Sequence, residues 1–117
     1  MGLLQGCSDG FWKNHPEDWP PTGFSTTDSF NTVFGRNAFS PTFTLLDALE
    51  LMGDDFNSLV RNATGALLNA AHPSVRYPLT VDEVISQFQR AFDNPALREP
   101  IKDEFELFNT SMPCPLD

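Results

Sequence analysis

Phe56-Asn57-Ser58-Leu59-Val60-Arg61-Asn62-Ala63-Thr64-Gly65-Ala66-Leu67-Leu68-Asn69-Ala70-Ala71 decides the fold class. Phe56, Leu59, Val60, Ala63, Leu67, Leu68 and Ala71 recur at steps of three and four, the spacing of a helix that buries one stripe. Asp54 or Asp55 stands where an N-cap belongs, and His72-Pro73 ends the run. Gly65-Ala66 and Ala70-Ala71 are small, so a neighbouring helix can approach closely there.

Working outward, the same pattern recurs with its own start and stop signals. Ser8 or Asp9 is placed to cap a short helix over 10–15, ended by Pro16. Thr27 or Asp28 is expected to cap another that carries Phe30, Val33 and Phe34 and stops at Gly35. Thr44 opens a helix over 45–52, ended by Gly53. Thr80-Val81-Asp82-Glu83 has the form of a capping box, and Val81, Val84, Ile85, Phe88 and Phe92 mark the inner face behind it. Pro100 suits a first helical turn, and Ile101, Phe105 and Phe108 point a last helix inward as far as Asn109. No run alternates apolar and polar residues long enough for a strand. The expected fold is all-α: one compact domain over 1–117, a bundle of five or six helices, three of them long.

The 117 residues carry seven cations and sixteen acids, a net charge of −9. Lys13, Arg36, Arg61, Arg76, Arg90, Arg98 and Lys102 are scattered singly, which argues against a nucleic-acid partner or an anionic membrane surface. The acidity itself reads as solubility. No stretch reaches the ~20 apolar residues of a membrane span. No apolar signal core precedes Cys7, and Leu4-Gln5-Gly6-Cys7 is too close to the start for a lipoprotein signal. The expectation is a leader already removed, with Met1 an expression start or a remnant.

Cys7 and Cys114 are the only two cysteines. They are open to three readings: a bridge, two free thiols, or half of a metal site. Zinc wants four ligands at short spacings, and only His15 and His72 are available to join cysteines so far apart. A disulfide is the leading reading. Both residues lie in flanking segments that need anchoring, and closing so long a loop is worth roughly 4–5 kcal/mol by the chain-entropy argument. Such a bond implies an oxidising compartment, hence an extracellular or cell-surface protein.

Trp12, Lys13, Asn14, His15 and Trp19 are the densest functional-looking cluster. One reading is a ligand platform for a glycan or small molecule, with Trp12 and Trp19 stacking and Asn14, His15 and Tyr77 bonding hydroxyls. The other is an anchor: Phe11, Trp12 and Trp19 lock the amino segment onto the core, and Asn14 and His15 bond free backbone groups. The cost of exposing aromatic rings favours the anchor. His15 alone makes no acid–base site, and His72 at a helix end reads as a cap toward the last carbonyls. There is no Gly-x-Ser-x-Gly, His-Glu-x-x-His or phosphate loop. No catalytic residue, metal or cofactor is expected, and a hydrolase ranks last. Asp47, Glu50, Asp54 and Asp55 do not have calcium-loop spacing. Asn62 and Asn109 both head glycosylation sequons, and Asn109, near a helix end, is the better acceptor.

Cys7-Ser8-Asp9-Gly10-Phe11-Trp12-Lys13-Asn14-His15 resembles a motif of a secreted bacterial and archaeal domain family, Cys-Thr-Pro-Gly-Tyr/Phe-Trp-Lys-Asn-His. Val33-Phe34-Gly35, Thr44-Leu45-Leu46-Asp47-Ala48-Leu49, Ala66-Leu67-Leu68-Asn69-Ala70-Ala71, Tyr77-Pro78, Glu83-Val84-Ile85 and Cys114-Pro115-Leu116 are similar to further blocks of it, in the same order. Ser8-Asp9 departs from the family's Thr-Pro while keeping a helix cap. The resemblance implies a disulfide-closed extracellular domain and transfers no reaction. The function expected is a non-catalytic structural or interaction module, acting on a protein partner or by self-association. A glycan or small-ligand binding module is the alternative.

Overall fold

Capping chemistry sets where the helices start. In the computed structural model, which describes residues 3–117, six α-helices follow one another: α1 Asp9–Asn14, α2 Phe30–Phe34, α3 Leu45–Glu50, α4 Phe56–Ala71, α5 Val81–Asp93 and α6 Arg98–Thr110. Short 3₁₀ turns at Pro16–Asp18, Pro20–Thr22 and Pro95–Leu97 use the prolines as first-turn residues. Met1 lies outside the described residues. Ser8 Oγ caps α1 through the Phe11 N–H, and Thr44 and Thr80 each form a reciprocal capping box, with Asp47 and Glu83.

The sequence reading is corrected at α2, α3 and α4. Ser29, not Thr27 or Asp28, caps α2, because the Asp28 carboxylate is already taken by the Ser25 N–H at 2.8 Å. Helix α3 ends at Glu50 rather than running to Met52. The Leu51 and Gly53 carbonyls turn instead to Arg61, at 3.1 and 2.8 Å, and the Met52 carbonyl accepts from Asn57 at 2.8 Å. Asp55 does stand at the N-cap of α4, but its side chain makes no capping bond. Its backbone is held at φ 56°, a conformation non-glycine residues rarely adopt.

Helix α4 was expected to bury one stripe and is buried nearly all round. Residues 58–60 and 62–69 are buried, because α6, α3, α5 and α1 all pack against it. A helix so enclosed is the axis of the domain rather than one wall of it. At Gly65 two neighbours come close: a Cβ there would meet Asn109 Nδ2 at 3.3 Å and Asp9 Cα at 3.4 Å. Helix α5 turns Val84, Phe88 and Ala91 inward, and α6 turns Ile101 and Phe105. Among the described residues there is no strand, only one antiparallel bridge between Ser29 and Thr44. The all-α bundle is therefore as expected, with six α-helices, and Cys7 and Cys114 are joined as a disulfide.

Candidate functional site

The disulfide sits on a chain of buried amides that sequence reasoning did not anticipate. Asn69 of α4 receives the Cys7 N–H and the Trp12 Nε1–H on its oxygen, at 2.8 and 3.2 Å. Its nitrogen donates to the Cys7 carbonyl at 2.8 Å and to Asn109 Oδ1 at 3.1 Å. Asn109 Oδ1 also accepts from the Tyr77 hydroxyl at 2.6 Å, and Asn109 Nδ2 donates to the Asn62 carbonyl at 3.0 Å. Every donor and acceptor of Asn69 is thereby used. No buried side-chain polar atom is left unpartnered among the described residues. A further pair of bonds, Gln5 N–H to the Arg76 carbonyl and Arg76 N–H to Gln5 Oε1, both 2.9 Å, continues the tie outward. Gly6 passes so close to α6 that a Cβ would collide with the Phe108 carbonyl oxygen.

This arrangement corrects most of the ligand-platform reading. Trp12 is fully buried and Trp19 is 2 % exposed, so neither ring can stack on a ligand. Trp19 Nε1 donates to the Trp12 carbonyl at 2.9 Å, which locks the segment after α1 back onto it. Tyr77 is half-buried, edge-on to Phe108, and burial pushes its phenol well above the ordinary range. It holds the amide chain instead of facing a ligand. Asn109 is likewise unsuited to glycosylation: it is 1 % exposed and its amide nitrogen is already donating. His72 does not cap carbonyls. Its Nδ1 accepts from the Ser74 N–H at 3.1 Å, its ring lies 6.0 Å from Trp12, and burial lowers its pKa.

Asn14 and His15 remain accessible but face different surroundings, and neither bonds to a free helix end. The His15 ring stacks on Phe11 at 4.5 Å, and its Nδ1 pairs with Glu17 Oε2 at 2.8 Å, which holds the Glu17 carboxyl below its usual range. His15, Glu17 and Asp18 bring three potential metal-ligand atoms within 4.8 Å of one another, on an open turn. Asp47, one of the four acids around the α3–α4 join, is spent on its capping box.

Asn14 instead lines a groove of about 640 Å³ between α1 and the end of α3. Asp9, Gly10, Lys13 and Asn14 form the α1 side; Leu49, Glu50 and the loop 51–53 form the other. Arg61 of α4 also lines it. It grips two carbonyls of that loop, and its Nε lies 3.5 Å from Asp9 Oδ2. Arg61 therefore braces both sides. Lys13, Asn14 and Glu50 are exposed, and among the described residues neither Lys13 nor Glu50 has an ion-pair partner. Met52 at the groove is 83 % exposed. Nothing in the sequence brought Lys13 and Glu50 together, because the juxtaposition depends on how α1 and α3 pack.

No helix among the described residues is long and apolar enough to cross a membrane. Residues 7–110 match the family model described as the protodermal factor 1 C-terminal domain. That span takes in the whole motif over 7–15, the amide chain and all six helices. No curated protein and no solved structure matches the chain.

Proposed function

The chain belongs to the protodermal factor 1 C-terminal domain family, and on that premise we propose that it is a non-catalytic extracellular or cell-surface module that works through protein contact, self-assembly included. The observation that carries this reading is the Cys7–Cys114 bridge seated on the Asn69–Asn109 amide chain. A disulfide of this kind persists in oxidising compartments. The residues that first suggest chemistry, Trp12, Trp19, His72 and Tyr77, are spent on holding the fold. Sedimentation over a wide concentration range tests self-assembly, and a strictly monomeric particle at the highest concentration would remove that part. Expression with and without a secretory leader tests the compartment. The secreted product is expected to be oxidised and folded, and the reading fails if the cytosolic, reduced product is equally stable.

A second reading keeps one specific observation, the exposed Asn14 in a polar groove. It is the binding of a glycan or another small polar ligand. Amide chemical shifts of residues 13–14 and 50–53 during a saccharide titration report on it directly, and unmoved resonances would exclude it.

A further inference from the structure

We propose that the groove between α1 and α3 receives an extended peptide segment of a partner protein, one that carries an acidic residue toward Lys13 and a basic residue toward Glu50. This deepens the protein-contact reading and rests on it. Three observations converge. First, beside the mutually paired Asp9 and Arg61, the groove carries two charges of opposite sign, Lys13 from α1 and Glu50 from the end of α3, both exposed and neither paired among the described residues. A segment with the complementary pair satisfies both and fixes its own direction in the groove.

Second, the groove is preformed. Arg61 and Asn57 hold the carbonyls of Leu51, Met52 and Gly53, so the wall does not need to be ordered on binding. Third, the apolar part of the groove is aliphatic. Met52 offers a flexible thioether at the surface, a side chain that adapts to varied apolar partners. No aromatic ring lines the groove, so the stacking face on which sugar sites usually rely is missing. These features favour a peptide over a saccharide.

The test is panning of a displayed random-peptide library against the native protein, Lys13→Glu and Glu50→Lys, with a saccharide array run in parallel. Both substitutions lie on exposed side chains, and circular dichroism confirms that each variant folds. The native protein is expected to enrich peptides with one acid and one base at a recurring spacing around an apolar residue. Each reversal is expected to weaken those peptides about tenfold and to be rescued by the peptide with the matching charge inverted. Enriched peptides that bind all three proteins equally would overturn the groove assignment and leave the protein-contact reading standing. Saccharide binding lost in both variants, with no peptide enriched, would overturn it in favour of a glycan site. Absence of any enrichment, together with a strictly monomeric particle, would overturn both the groove and the reading beneath it.

Discussion

Around α2 and α5, Phe30, Phe34, Phe39, Phe43, Phe56, Phe88 and Phe92 meet ring against ring at centroid distances from 4.0 to 6.5 Å. Around Cys7, the contacts that matter are hydrogen bonds from Asn69 and Asn109 to named backbone and ring atoms. The aromatic end does have a polar lid: the Arg98 guanidinium lies 5.0 Å above Phe56 and donates to the Ala91 and Phe92 carbonyls. Its interior, however, is held by area. Ring packing has shallow angular preferences and allows alternatives, whereas a saturated amide allows one geometry. The phenylalanines supply bulk stabilisation, and the asparagines specify where the chain ends dock.

The contrast can be broken by swapping like for like at each end. Asn69→Leu keeps the approximate volume and removes four hydrogen bonds. It strands the Cys7 N–H and carbonyl and the Trp12 indole, each costing about 1–3 kcal/mol when buried and unpaired. The expected loss is about 4 kcal/mol or more, read from urea denaturation midpoints. Opening the bridge with Cys7→Ser and Cys114→Ser should cost about 2–5 kcal/mol by the same measurement. Because Asn69 binds the Cys7 backbone rather than its sulfur, the docked amino segment should persist in that variant. Slow hydrogen exchange at the backbone amide of position 7 is the check.

Phe34→Leu is the corresponding change at the aromatic end. It removes ring volume and contacts with Phe30 and Phe88, for an expected cost of about 2 kcal/mol. A loss equal to that of Asn69→Leu would erase the distinction. The smallest effect expected is a pH slope at the amide end. The folded His72 has a lowered pKa because burial disfavours its charged form, while the unfolded residue titrates near 6.5. The unfolded chain therefore binds the extra proton first. This contribution is complete above pH ~6.5 and is lost as pH falls toward the folded value. His72→Gln should flatten the dependence of stability on pH in that interval, read from urea midpoints at several pH values.

The helices were legible because periodicity and capping are local. Thr80 with Glu83, three positions apart, is such a signal and is formed; Thr44 was legible as a helix start, and its pairing with Asp47 is the structure's addition. Asp55 shows the limit of such signals: it holds the N-cap position without the N-cap bond, because its backbone is twisted by the loop that Arg61 and Asn57 hold down. The amide chain was not legible in the apolar stripe of α4, since Asn62 and Asn69 fall outside it. A signal did exist. The two asparagines are two helical turns apart in a run flanked by Ala and Gly, and a helix enclosed on all sides must satisfy such residues internally. The groove left no trace in sequence order, because Lys13 and Glu50 meet only through the packing of α1 on α3.

The disulfide has a mechanical consequence. The Cys7 and Cys114 Cα atoms are 4.7 Å apart although 107 positions separate them in sequence. Tension applied to the chain on either side of this pair runs through one sulfur–sulfur bond and bypasses the helices. The bundle hangs from the line of force as a slack loop. Stretching the chain should extend it by no more than the tether itself until that bond is reduced, at which point the full folded length becomes available to unravel.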